Sequence, residues 1–192
     1  MDSILQEQRK GRHMGAKPVK IAIIGPESTG KTTLAEKLGR VMEDVIVIPE
    51  MAREWLAENR EDQYPHPEDY ETFLRLQYEA TIGAEKLKPR YIISDTEAIT
   101  TKIWARRLHQ IELDITSYLI DFDAYLLLSP QGVPFTPDAQ RYGGEMRQLA
   151  MHTFFANLVL SGIYHYMFIF GDWSVRVSQA SSLLIILHKA KH

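Results

Sequence analysis

An eight-residue turn near the start of the chain constrains its fold more than any other feature. Gly25-Pro26-Glu27-Ser28-Thr29-Gly30-Lys31-Thr32 fits the phosphate-binding P-loop pattern G-x-x-x-x-G-K-[ST] at every fixed position. By average residue usage, a chance match arises in roughly one chain in a hundred of this length. The flanks sharpen the assignment. Val19–Ile24 is a short apolar run that reads as a strand, and residues 31–42 carry Leu34, Leu38 and Val41 at helical spacing. A strand running into such a turn and out into a helix aims backbone N–H groups and the positive end of the helix dipole at one point. Gly25 and Gly30 let the backbone bend and approach an anion. Lys31 supplies a mobile charge for the β- and γ-phosphates of a nucleotide, and Thr32 offers a hydroxyl to magnesium. Glu27, Ser28, Thr29 and Thr33 complete the candidate nucleotide cradle.

The rest of the chain alternates in the same way. Strands are expected at residues 45–48, 91–94, 124–128 and 166–170. Helices are expected at 52–59, 68–87, 96–108 and 144–161, with another before Asp121 and a last one from Trp173 to the end. The strands are apolar throughout, as suits a sheet covered on both faces. This predicts an α/β fold of the P-loop NTPase type: five strands, mostly parallel, with helices on both faces. Residues 129–144 hold three prolines and three glycines and read as a lid-like loop. Residues 182–188 are too short to span a membrane and read as the buried face of the final helix.

In open α/β sheets the ligand sits beyond the carboxyl ends of the strands. Glu50 ends the second strand, Asp95 ends the third, and Asp138 and Arg141 lie in the long loop after the fourth. Asp95 suits a Walker-B-like carboxylate that holds magnesium directly or through water; its alternative is an N-cap of the following helix. Glu50 suits a substrate-side carboxylate or general base, against a solvated strand end. Arg53 either reaches substrate or forms a surface pair with Glu50. Arg141 and Arg147 could close over a transferred phosphoryl group, or be exposed on a loop. Trp104, Tyr70 and Trp55 are candidates to stack on a planar ring, each with ordinary packing as the alternative. Trp173 falls where an adenine contact would lie, and helix packing explains it equally well.

Composition bounds the rest. The chain has 192 residues, no cysteine and a formal charge of −3. That excludes disulfides and thiolate metal sites and argues against broad capture of nucleic acid. Seven histidines show no metal-ligand spacing. Residues 1–18 form a basic arm, read as a poorly ordered start, a mitochondrial-type leader or vector-derived sequence before Met14, with a kinase domain over 19–192. The first twenty residues carry a net +3, which leaves −6 for the remainder. The lack of cysteine and of an export signal fits a cytoplasmic enzyme.

The residues around the cradle also resemble a known family. Ile24 to Leu34 resembles the P-loop of the nicotinamide riboside kinase domain in NadR-type proteins. Pro49-Glu50-Met51-Ala52-Arg53-Glu54 is similar to that family's E-x-x-R-E segment, and Asp95-Thr96-Glu97 through Thr101 to its D-T-D-x-x-T-T segment. Residues 134–141 resemble its P-[WF]-x-x-D-x-x-R loop, and Gly171-Asp172-Trp173-Ser174-Val175-Arg176 its late G-x-[WY]-x-x-R stretch. The family's second acid is Glu97 here. The resemblance implies an ATP- and magnesium-dependent kinase acting on the 5′-hydroxyl of a nicotinamide nucleoside, as a stand-alone module. It implies Lys31 and Thr32 at phosphate and magnesium, and Asp95 at magnesium or as base. Glu50 and Arg53 would face the nucleoside, and Asp138 and Arg141 would belong to the lid. Two other functions remain open: a 5′-hydroxyl polynucleotide kinase, and a nucleotide-binding ATPase or regulatory module.

Overall fold

The computed structural model describes residues 17–134 and 147–192. Asp138 and Arg141 lie outside these residues, as do most of the basic arm and residues 135–146 of the expected lid; the side chain of Arg147 is also outside them.

β1 (Val19–Ile24) is an apolar run buried except for Lys20, whose ammonium pairs with Glu85 at 2.5 Å. It sits at the centre of a five-stranded sheet in the order β2-β3-β1-β4-β5, with β2 Val45–Ile48, β3 Tyr91–Asp95, β4 Ala124–Leu128 and β5 Tyr166–Ile169. Every pairing is parallel. Parallel strands need crossover connections. The helices supplying them are α1 (Lys31–Val41), α2 (Met51–Asn59), α3 (Tyr70–Lys86), α4 (Ala98–His109) and α5 (Arg147–Leu160); α6 (Trp173–Lys191) follows β5.

Side chains alternate across a strand, so β1 and β4 present two different faces. Ile21, Ile23, Leu126 and Leu128 meet Leu34 and Leu38 of α1 and Ala180 and Leu184 of α6. Ala22, Ile24, Tyr125 and Leu127 meet Leu74 of α3, Ile99 and Ile103 of α4, and Phe154 and Leu158 of α5. The sheet is thus covered on both sides, which is why its central strands are apolar throughout. The chain passes from β1 to one side of the sheet for β2 and β3, then to the other for β4 and β5. The turn leaving β1 therefore opens at the point where the winding reverses.

Two expectations are corrected. The helix expected before Asp121 is only a 3-10 turn, Thr116–Tyr118. There the Asp114 carboxylate accepts from the Thr116 N–H and hydroxyl, a local bond that competes with helix formation. The segment 182–188 is not a uniformly buried face. Leu184 is buried, whereas Ile185 and Ile186 are 44% and 61% exposed. α6 covers the sheet with one stripe only, and a continuous apolar run must turn some of its residues outward on a helix.

Candidate active site

The turn after β1 wraps a concave surface. Gly25 (φ 143°), Ser28 (φ 51°) and Gly30 (φ 83°) all have positive φ. At Gly25 a Cβ would lie 2.9 Å from the Leu128 carbonyl oxygen of the neighbouring strand, so the loop passes where only glycine fits. At Gly30 a Cβ would overlap the Trp173 indole, with Cζ2 at 3.0 Å and Cη2 nearer still. Trp173 thus packs under the cradle as well as against the sheet. The Thr29 hydroxyl donates to the Pro26 carbonyl at 2.9 Å and braces the turn from within. Lys31 Nζ donates to the Gly25 and Pro26 carbonyls, both at 3.0 Å, which holds its charge across the loop.

The acids of the second and third strands converge on this lysine. Burial lowers the Lys31 pKa, and the charges of Glu50, Asp95 and Glu27 act against that lowering, while Arg53 adds to it. Asp95 is 1% exposed. Its Oδ2 accepts a 2.6 Å hydrogen bond from the Thr32 hydroxyl. Its Oδ1 is buried and, among the described residues, has no partner. Burial first, and the nearby Glu50 second, push the Asp95 carboxyl up to about 6. Asp95 is not the N-cap of α4. Thr96 takes φ 96°, unusual for a β-branched residue, and its N–H donates to the Ile23 carbonyl at 3.1 Å. The helix therefore starts later, and Glu97 caps it, accepting from the Ile99 N–H (2.8 Å) and Thr100 N–H (3.1 Å). Buried there, Glu97 is pushed up to about 7.

Glu50 and Arg53 form an i,i+3 ion pair at 3.3 Å on the first turn of α2, and both face the pocket. Arg53 is therefore both paired with Glu50 and part of the pocket wall. The same pocket has an apolar and aromatic part of its lining, Leu56, Tyr70, Phe73, Trp104 and Leu108, with Thr101 among them. Trp104 stands edge-on to Phe154, and the Arg107 guanidinium lies 5.1 Å over its ring. Tyr70 is 1% exposed, and its hydroxyl has no hydrogen-bond partner among the described residues. Trp55 does not line this pocket. It stands edge-on to Phe73 with Arg60 over its ring, so packing accounts for it.

Of the residues singled out in the sequence, the structure brings together Glu27, Ser28, Gly30, Lys31, Thr32, Thr33, Glu50, Arg53 and Trp104 around one pocket, with Asp95 bonded to the lining residue Thr32. Two residues carry more than the sequence reading gave them. Arg176 is 1% exposed and donates to the carbonyls of Gly171 (2.7 Å), Thr29 (3.1 Å), Ser129 (3.0 Å) and Gln131 (3.2 Å). It ties the cradle to the segments leaving β4 and β5. Gln77, in the middle of α3, reaches the ends of β2 and β3. The arginine at the end of the late G-x-[WY]-x-x-R stretch was a usable signal for Arg176. Gln77 had no local signal.

The site's chemistry follows from these groups. A triphosphate would find Lys31 and the backbone N–H groups of the loop and of the α1 start. Among the described residues no three His, Cys, Asp or Glu side chains are grouped to hold a metal. Magnesium takes few protein ligands when phosphates and water supply the rest, and the partnerless Asp95 Oδ1 beside the Thr32 hydroxyl suits that role. Among the described residues no helix is long and apolar enough to cross a membrane.

Comparison with known proteins agrees with this architecture. Among solved structures the fold is similar to NadR protein in complex with NR, with a TM-score of 0.66 and 21% sequence identity, covering 91% of this chain and 52% of that one. It is similar also to NadR protein in complex with NAD and AMP-PNP, with a TM-score of 0.66 and 20% identity, covering 91% of this chain and 51% of that one. The chain thus spans about half the length of those proteins. No curated protein matches its sequence. A family profile described as an AAA domain matches residues 20–176, well over half of the sequence, and the chain belongs to that family, with the α/β P-loop NTPase fold.

Proposed function

We propose that this chain is an ATP-dependent nucleoside kinase that phosphorylates the 5′-hydroxyl of nicotinamide riboside, giving the mononucleotide, a step of NAD biosynthesis. The observation that carries this reading is the continuity of one pocket. Its lining takes in both the phosphate cradle, with Lys31 and Thr32, and the aromatic residues Tyr70, Phe73 and Trp104. Glu50 and Arg53 line the same pocket. A nucleoside seated with its ring against the aromatic residues would present its 5′-hydroxyl to the acids and the γ-phosphate. The NadR structures similar in fold bind NR in one case and NAD with AMP-PNP in the other, which supports the same pairing of ligands here.

In this reading the loop N–H groups and Lys31 hold the β- and γ-phosphates in line with the acceptor. Thr32 and Asp95 would hold magnesium, which supplies charge neutralisation of the phosphates when bound. Asp95 is thereby committed to the metal side. Glu50, partly exposed and facing the acceptor, takes the 5′-hydroxyl proton as the oxygen bonds to the γ-phosphorus and ADP leaves. Arg53 orients Glu50 and offers a second donor to the acceptor. Asp138 and Arg141 are proposed to close over this site from the loop after β4.

The test is a panel of nucleosides and a 5′-hydroxyl oligonucleotide, each incubated with magnesium and ATP and analysed by mass. Nicotinamide riboside should gain one phosphate, and Lys31→Ala should abolish that gain while staying folded. Phosphorylation of the oligonucleotide alone would identify a polynucleotide kinase. ATP hydrolysis indifferent to every acceptor would identify a regulatory ATPase.

A further inference from the structure

Gln77 touches neither acid of the site, yet its side chain brackets both. Its Oε1 accepts from the Met51 N–H at 3.0 Å, and its Nε2 donates to the Pro49 carbonyl at 3.2 Å. Glu50 is the single residue between those two groups. The same Nε2 donates to Ser94 Oγ at 3.0 Å, and the Ser94 hydroxyl donates onward to the Thr96 carbonyl at 2.7 Å. Asp95 is the single residue between those two. The reverse orientation of the carboxamide would set an N–H against the Met51 N–H and an oxygen against the Pro49 carbonyl, so the network fixes which end is which. Gln77 is 5% exposed and uses both N–H donors and its oxygen. Thr96 holds an unfavourable positive φ, and such backbone persists only where its surroundings over-determine it.

We propose that Gln77 is a positioning residue for phosphoryl transfer, whose buried carboxamide fixes the carboxylates of Glu50 and Asp95 relative to each other by clamping the ends of β2 and β3. This rests on the kinase reading of the site. The clamp acts on geometry alone: α3 is a rigid rod against the sheet, and one side chain from it spans both strand ends. Losing it frees the two corners to shift independently, and displacements of this size are costly where reacting atoms must be aligned. The cradle does not depend on it, since Lys31 and the loop bond to Gly25 and Pro26 rather than to Gln77.

The test compares Gln77→Met, Gln77→Glu, Ser94→Ala and a control, Thr81→Val. The control removes a buried hydrogen bond within the same helix, from the Thr81 hydroxyl to the Gln77 carbonyl, without touching either strand end. Gln77→Met should lower kcat by ~10–100-fold and leave the affinity for a non-hydrolysable ATP analogue without magnesium within about twofold. Ser94→Ala, which loses only the Thr96 branch, should fall between wild type and Gln77→Met. Gln77→Glu keeps the acceptor for Met51 but sets an oxygen where the Pro49 carbonyl and Ser94 need a donor, so it should not restore the rate. Thr81→Val should keep its kcat even at an equal loss of Tm. The proposal is overturned if folded Gln77→Met keeps its kcat, or if Thr81→Val loses as much rate. Should the wild type phosphorylate no acceptor, the kinase reading fails by itself. The clamp is then read from the gain in analogue affinity that magnesium confers: a roughly tenfold smaller gain in Gln77→Met supports it, and an unchanged gain overturns it.

Discussion

Placing Gly30 against Trp173 makes a quantitative prediction. Gly30→Ala adds one methyl where two costs meet. The backbone sits at φ 83°, which an L-residue with a Cβ adopts at a cost of about 1–2 kcal/mol. The new Cβ would also stand 3.0 Å or less from indole carbons, against the roughly 3.5–4.0 Å of comfortable carbon contact. Relieving that overlap means moving Trp173, which is wedged against the first core layer, at an overpacking cost of about 1–3 kcal/mol. Gly30→Ala should therefore lose about 2–5 kcal/mol in urea unfolding. The two parts are separable. Combining it with Trp173→Ala removes the overlap but not the φ cost, so the double variant should be less destabilised than the sum of the singles by about 1–3 kcal/mol. Unfolding curves with matching m-values on all four proteins give the coupling directly. Additivity to within about 0.5 kcal/mol would refute the packing of the indole beneath the cradle.

Further consequences follow from individual groups. Asp95 has a carboxyl pKa raised to about 6 against 3.8 when unfolded, so it favours the fold below about pH 4 and loses that contribution as pH rises through about 6. Asp95→Asn should accordingly gain about 3 kcal/mol of stability relative to wild type between pH 4 and pH 8, seen by unfolding at both pH values, while losing transfer activity. Arg176→Met leaves four carbonyls without their donor and should cost about 3–5 kcal/mol with weakened nucleotide binding; Arg176→Lys, which cannot reach all four, should recover little of it. Tyr70→Phe removes a hydroxyl that has no partner, so unfolding should shift by less than about 1 kcal/mol, whereas the acceptor KM should rise about tenfold if that hydroxyl meets the bound ring.

What the sequence carried was mostly periodic or local. The cradle was legible because a strand, a fixed spacing and a helix must occur together, and the five strands were legible as apolar runs bounded by turn residues. The register of the acids was less so. Asp95 and Glu97 both stand where a cap would, and only the positive φ of Thr96 moves the start of α4 far enough to give the cap to Glu97 and leave Asp95 for Thr32. No propensity announces a threonine in that conformation. Gln77 reads in sequence as one more polar residue in a long helix, because its partners lie 17 and 28 positions away. Trp55 and Trp104 looked alike as candidate ring partners. Which of them faces the pocket depends on how α2 and α4 are rotated against α3 and α5, a tertiary fact absent from either local pattern. The 3-10 turn at Thr116–Tyr118 stands where a helix was expected because a side-chain bond from Asp114 captured the backbone first.

The central claim is that the cradle and the aromatic lining of the pocket serve one reaction, and following the γ-phosphoryl group tests it most directly. Folded protein is mixed with ATP labelled at the γ-phosphorus, magnesium and excess nicotinamide riboside, and the label is located after a single turnover. The account predicts label on the nucleoside 5′-oxygen, at a rate that collapses in Glu50→Gln. Label found only in inorganic phosphate, with the nucleoside untouched, would contradict it.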